Sequence, residues 1–155
     1  MKFKTREDIG APIDYVFGVV SDFETFQRKA LRRGAEIARR DALETPGVGM
    51  AWDVAFAFRG KRREMQVQLV DHEPPNRMSF DSRMPGMIGY MGVELIALSR
   101  AHTRMVLEIE LKPETLSARL LVQSMKLARG SLNKRFQVRV AEFAKTTEDR
   151  YGRMV

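Results

Sequence analysis

Apolar and polar residues alternate with a period of two along most of this chain, then recur every three to four residues near its end. Phe3, Thr5, Glu7 and Ile9 alternate with Lys2, Lys4, Arg6 and Asp8, which predicts a first strand near residues 2–9. Gly10-Ala11-Pro12 breaks that pattern, and proline suits the first turn of a helix. Val16, Phe17 and Val20 then fall at helical spacing. Ser21-Asp22 offers a cap for a second short helix that carries Phe23 and Phe26 to about Leu31. Residues 34–40 are a weak strand candidate, and Pro46-Gly47-Val48-Gly49 predicts a turn.

Met50, Trp52, Val54, Phe56 and Phe58 alternate with Ala51, Asp53, Ala55 and Ala57 up to Arg59-Gly60, a tight hairpin signal. The next strand, near 61–72, sets Met65, Val67 and Leu69 against Glu64, Gln66 and Gln68. With Arg59-Gly60 as the loop, Phe58 faces Lys61, Val54 meets Met65, Trp52 meets Val67 and Met50 meets Leu69. The large apolar residues then share one face, and a slip of one residue would destroy the match. His72-Glu73-Pro74-Pro75-Asn76 breaks the chain, Met78 and Phe80 mark a strand near 76–83, and Pro85-Gly86 turns it again. Met91, Val93, Leu95 and Ala97 alternate along 87–98. After a loop at Ser99 to His102, Met105, Leu107, Ile109 and Leu111 alternate against Arg104, Val106, Glu108 and Glu110. From Thr115 to Thr147 apolar residues fall at 121, 125, 128, 132, 136, 140 and 143, one stripe on a helix of about eight to nine turns. Gly130 interrupts it at a cost of about 1 kcal/mol, and the tail from Glu148 is expected to fray.

Strand, helix pair, about six strands and one long helix, with short turns, predict an α+β chain. A curved antiparallel sheet of about seven strands wraps over the C-terminal helix, as one domain over residues 1–150 with a tail at 151–155. The only long amphipathic element must cover the apolar face of the sheet, and space left between the two is the expected binding site. The inward set names its lining: Trp52, Val54 and Phe56; Met65 and Val67; Phe80; Met91, Val93 and Leu95; Met105, Leu107 and Ile109; and Leu121 and Met125 from the helix. Met50, Met65, Met78, Met91, Met105 and Met125 all fall inward, and flexible methionines suit a wall that accepts varied apolar ligands as well as they suit a filled core.

Composition narrows the chemistry. The chain has 155 residues, 44% hydrophobic and 30% charged, which is a globular composition. No apolar run reaches the roughly 18 residues of a membrane span, and the first residues lack a signal-peptide stretch, so a cytoplasmic setting is expected. With no cysteine, disulfides, thiolate metal sites and cysteine nucleophiles are excluded. The two histidines, His72 and His102, fall at expected turns without neighbouring ligands, so no metal or cofactor is implied. Asp53 and Glu94 interrupt apolar strands but are out of phase with the inward face, as is Tyr90. No nucleophilic triad, phosphate loop or inward carboxylate pair is present. The net charge is +7. Its basic clusters lack interleaved aromatics, which argues against nucleic acid. Arg59, Lys61, Arg62 and Arg63 form a basic hairpin tip suited to an anionic membrane or partner protein, or simply to solvation.

The order of these features resembles the superfamily of polyketide cyclases and aromatases, START-type lipid-transfer domains and birch-pollen-allergen-type proteins (SRPBCC). The residues that carry the resemblance are Ile9-Gly10-Ala11-Pro12 followed by Val16-Phe17 and Ser21-Asp22, then Gly47-Val48-Gly49, Phe58-Arg59-Gly60, Glu73-Pro74-Pro75 before Met78, and the long final helix. They span nearly the whole chain. Many relatives carry tryptophan soon after the serine-aspartate pair, where this chain has Phe26. The resemblance implies a helix-grip fold that binds or carries a hydrophobic small molecule such as a lipid, isoprenoid or aromatic polyketide-like compound. Alternatively it implies a cyclase, aromatase or dehydratase acting on a polyketide-like substrate, or a regulatory module that docks on a membrane or partner.

Overall fold

A computed structural model describes residues 1–155. The chain runs β1 (Lys2–Ile9), α1 (Ile13–Val20), α2 (Phe23–Arg32), β2 (Glu36–Arg39), β3 (Ala51–Phe58), β4 (Lys61–Glu73), β5 (Arg77–Met84), β6 (Met87–Ser99), β7 (His102–Pro113), α3 (Leu116–Leu127) and α4 (Arg129–Met154). The seven strands form one antiparallel sheet in the order β1-β7-β6-β5-β4-β3-β2. The β2–β7 part is therefore a meander of neighbours, and β1 closes it by pairing with β7.

Local chemistry explains the boundaries. Pro12 sits extended immediately before α1. Asp22 caps α2, its carboxylate accepting from the Thr25 N–H at 3.3 Å and from the Thr25 hydroxyl at 2.6 Å. The Thr115 hydroxyl accepts from the Ala118 N–H at 3.2 Å and starts α3. Arg59 and Gly60 both have positive φ, 53° and 73°, the type I′ geometry whose twist matches that of a hairpin. The β3–β4 register is the one the apolar pattern demands: Phe58↔Lys61, Val54↔Met65 and Trp52↔Val67. A bulge in β4 between Leu69 and Asp71 bends the strand and helps the sheet curl.

Three expectations change. The C-terminal stripe is carried by two helices: α3 ends and α4 begins at Ala128 (φ −102°, ψ 16°). The ladder resumes at once through Leu132 N–H to Ala128 O at 2.9 Å, so the apolar spacing survives the break and hides it. Second, the tail does not fray from Glu148. The Glu148 carboxylate accepts from the Gly10 N–H, the Tyr151 ring packs tilted against Tyr15 with centroids 5.0 Å apart, and α4 runs to Met154. Third, His72 lies in β4 rather than a turn, opposite Met78 and 5.7 Å from the Phe17 ring. His102 opens β7 and is exposed.

The inner face of the sheet meets α1, α2 and α4 in one core of Ile9, Val16, Phe17, Val20, Met50, Trp52, Leu69, Met78, Phe80, Val93, Leu95, Met105, Val140 and Ala144. A second, separate cluster of Met87, Ala118 and Val122 forms under α3. No helix is long and apolar enough to cross a membrane.

Candidate functional site

The inner wall of the sheet divides into two halves. Among the residues expected to line a pocket, Trp52, Phe80, Val93, Leu95 and Met105 are buried in the main core, together with Met50 and Met78. Val54, Phe56, Met65, Val67, Met91, Leu107 and Ile109 point to the same face but are only half-buried, as are Leu121 and Met125 on α3 and Phe136 on α4. The difference follows from the cover. Helices α1 and α2 bring Val16, Phe17, Val20 and Phe23 down on the first group, and Phe23 meets Trp52 edge-on at 5.3 Å. Over the second group α3 packs on β7 and α4 on β1, while neither helix packs closely on β3 or β4. Apolar side chains standing half-covered between two packed clusters are the feature a hydrophobic ligand requires.

The β3–β4 hairpin overhangs this half. The β4–β5 pairing begins at Gln66↔Arg83, so Lys61–Met65 pair with β3 alone and project past the β5–β6 turn. Clefts open beside this arm. One, of about 890 Å³, runs from Leu31 and Ile37 past Val54 and Met65 to Met84, Pro85 and Gly86, and its rim is charged, through Glu36, Asp53, Arg62, Glu64 and Arg83. The other, of about 510 Å³, lies between Lys61–Glu64, Met84–Met87 and Ser117, Ala118 and Leu121 of α3. The arm reaches α3 through Arg59, whose guanidinium donates to the Ser124 hydroxyl. A third cleft, of about 610 Å³, lies at the α2 end and is lined by Phe23, Leu31, Ile37, Met50 and Trp52.

Two hydroxyls face the half-open wall, and sequence reasoning did not single them out. Ser82 stands opposite Val67 and Gly89, Thr5 opposite Leu107. Gly89 has no side chain because the Ser82 hydroxyl occupies the space a Cβ would take. No buried side-chain polar atom lacks a partner; Ser82 and Thr5, both half-exposed, are free to bond a guest. The signal was present: Ser82 shares the alternation of Phe80 and Met84, and Thr5 that of Phe3 and Ile9. Glu7 faces inward as well, opposite Met105 in the filled half.

The basic hairpin tip is mostly committed inside the molecule. Arg59 and Arg63 lie over the Phe58 ring at 5.5 and 5.6 Å, and Arg63 also donates to the Phe58 carbonyl. Arg62 pairs with Glu36 at 3.1 Å and Glu64 at 3.7 Å, which raises its pKa further. Lys61 is exposed and makes no ion pair. Asp53 faces outward and pairs with Arg40 at 3.3 Å; Glu94 and Tyr90 are also on the outer face. Two carboxyls held below their ordinary range sit away from the wall. Arg39, with the Ala51 and Leu43 N–H groups, holds Asp41 down beside β3, and Arg104 holds Asp8 down on the outer face.

No protein-family model matches the chain, and no curated protein sequence matches it. Solved structures do. TTHA0849 from Thermus thermophilus superposes with a TM-score of 0.64 at 17% identity over 97% of each chain. The Zhui aromatase/cyclase from Streptomyces sp. R1128 superposes at 0.62 with 13% identity, covering 86% of this chain and 88% of its own. Ara h 8.0201 superposes at 0.57 with 11% identity, covering 83% and 91%. At such identities the likeness speaks of backbone, and together with the curved sheet and its covering helices it establishes a helix-grip fold for this chain.

Proposed function

We propose that this protein binds and carries a hydrophobic small molecule, a lipid, isoprenoid or aromatic polyketide-like compound, between the sheet and its C-terminal helices. One observation carries the reading: Val54, Phe56, Met65, Val67, Met91, Leu107 and Ile109 point inward from a continuous wall and are left half-covered, while the adjoining half of the same wall is filled. Ser82 and Thr5 give an otherwise apolar guest two places to set an oxygen. Native mass spectrometry of the purified protein with a panel of lipids and hydrophobic dyes tests it. Wild type should retain a ligand, and Leu107→Trp should expel it while changing stability by less than about 1 kcal/mol, because the indole enters open space. If wild type takes up nothing and Leu107→Trp costs the roughly 1–3 kcal/mol of an overpacked core, the wall is plain core and the reading fails.

A second reading, a cyclase, aromatase or dehydratase, draws on the same hydroxyls and on the aromatase/cyclase among the fold relatives. Orienting a reactive chain needs few polar groups. It does need a proton acceptor at the wall, and His72 packs against Phe17 in the filled half, where Glu7 also stands. Carriage is therefore preferred. Under the enzyme reading Ser82→Ala keeps ligand binding and abolishes turnover; under carriage it changes only the preference for oxygenated guests.

A further inference from the structure

Helix α3 is apolar on two opposite sides. Ala118 and Val122 are buried beneath it, with Leu121 and Met125 half-buried beside them. Leu116, Leu120 and Leu127 point the other way. Their spacing of four and seven residues sets them within about 40° of one another on the helix, and they are 74%, 58% and 92% exposed. The remaining exposed apolar side chains are spread over several elements, at most two together, as with Ile96 and Leu98 on one face of β6 and Met154-Val155 at the end of α4, the scatter that any surface shows. Three leucines in one line on a helix of 12 residues do not fit that description.

The charge around the line is one-sided. From Thr115 to Ala141 the chain contains no aspartate or glutamate, while Arg119, Lys126, Arg129, Lys134, Arg135 and Arg139 supply six positive charges. No ion pair engages any of the six. Arg119 and Lys126 border the leucines on one side at helical spacing. The arginines of the neighbouring hairpin tip are turned to Phe58, Ser124 and Glu36, which leaves Lys61 as the free cation there. Arg129 is turned to the Lys2 carbonyl and the Phe3 ring, whereas Arg119 and Lys126 on α3 are exposed beside the leucines.

We propose that α3 docks this protein on an anionic lipid bilayer, with Leu116, Leu120 and Leu127 in the acyl boundary and the bordering lysine and arginines at the headgroups. A helix with leucines on one face and basic residues beside them is the form of an interfacial helix, and long basic side chains reach the headgroups while their stems lie on the apolar layer. A bilayer fits better than a protein partner, because protein hot spots favour tryptophan, tyrosine and arginine over leucine, and α3 has no aromatic residue. A second copy is disfavoured by the like charge of the segment. The inner side of the same helix, through Ser117, Ala118 and Leu121, borders one cleft beside the half-open wall. Docking therefore sets that opening at the lipid surface.

The test is flotation of the full chain with vesicles of phosphatidylcholine alone and of phosphatidylcholine mixed with phosphatidylglycerol. Binding should appear on the mixed vesicles and weaken with added salt. Leu120→Gln combined with Leu127→Gln should lower partitioning by at least about tenfold, and Arg119→Gln or Lys126→Gln by about fivefold each. Arg6→Gln, on the outer face of β1, should leave it unchanged. All these positions are exposed, and circular dichroism melts confirm that the variants fold. No binding to either vesicle overturns the proposal. So does binding that survives the leucine changes or falls equally with Arg6→Gln, which is adsorption of a basic protein. Self-association in size-exclusion chromatography that the leucine changes abolish assigns the stripe to a second copy and overturns it as well.

Discussion

Met78 and Met65 lie on one face of one sheet and have opposite surroundings. Met78 is 1% exposed within the main core; Met65 is half-buried and borders a cleft. Truncating Met78 leaves a cavity among packed neighbours, so Met78→Ala should cost about 2–5 kcal/mol. Met65→Ala removes a side chain that already meets open space and should cost less than about 1 kcal/mol. Urea unfolding of the two variants measures the contrast, and equal costs would show one uniformly filled core. Alternation places both methionines inward, and that much was legible. It carries no information on depth, because depth is set by α1, α2 and α4, which arrive from distant parts of the chain. The same limit explains why Trp52, Phe80, Val93, Leu95 and Met105 were grouped with the half-open residues. Ser82 was overlooked for the converse reason: its place in the alternation was visible, but nothing local marks a serine as facing unfilled space.

At the level of elements, what neighbouring residues decide was legible and what distant residues decide was not. The Arg59-Gly60 turn follows from a register in which every large apolar residue finds its face. The division of the last helix at Ala128 does not, because the stripe runs through it unbroken and the helix resumes within one turn. Nor does the helical C-terminus, which depends on Tyr15 and Gly10 at the other end of the chain. The turn supplies a test by sign. A Cβ at Gly60 meets no atom within 4 Å, and only its φ of +73° resists a side chain; Gly60→Ala should cost about 1–2 kcal/mol. Gly18, within α1, also meets nothing and has no such φ, so Gly18→Ala should stabilise by about 1 kcal/mol. Thermal melts of the pair separate backbone conformation from contact.

Across the whole molecule, several seams are held by ionised carboxylates. Asp8 joins β1 to β7 through Arg104 at 2.8 and 3.1 Å; Glu110 of β7 lies between Lys112 and Lys2 of β1; Asp22 caps α2; Asp41 ties Arg39 to the start of β3. All four carboxyls are held below their ordinary range, chiefly by those hydrogen bonds. A depressed native pKa means that the unfolded chain binds more protons once the pH falls below about 4, so this stabilisation is complete above that range and is lost beneath it. The melting temperature should drop as the pH is lowered through that window, and Asp41→Asn should flatten the slope. A melting temperature indifferent to acid would exclude these contacts as contributors. The strand order has a consequence in time. Each strand from β3 to β7 meets its neighbour within a few residues and β2 meets β3 across one loop, whereas β1 has a single partner whose pairing residues are Thr103 to Glu110. During synthesis the first strand therefore emerges with its only partner still unmade, and Phe3 and Ile9 wait uncovered until most of the chain exists. Long-range closure of this kind puts folding at the slow end of its size class. It also makes the nascent β1 an edge that the finished sheet no longer presents on its β7 side.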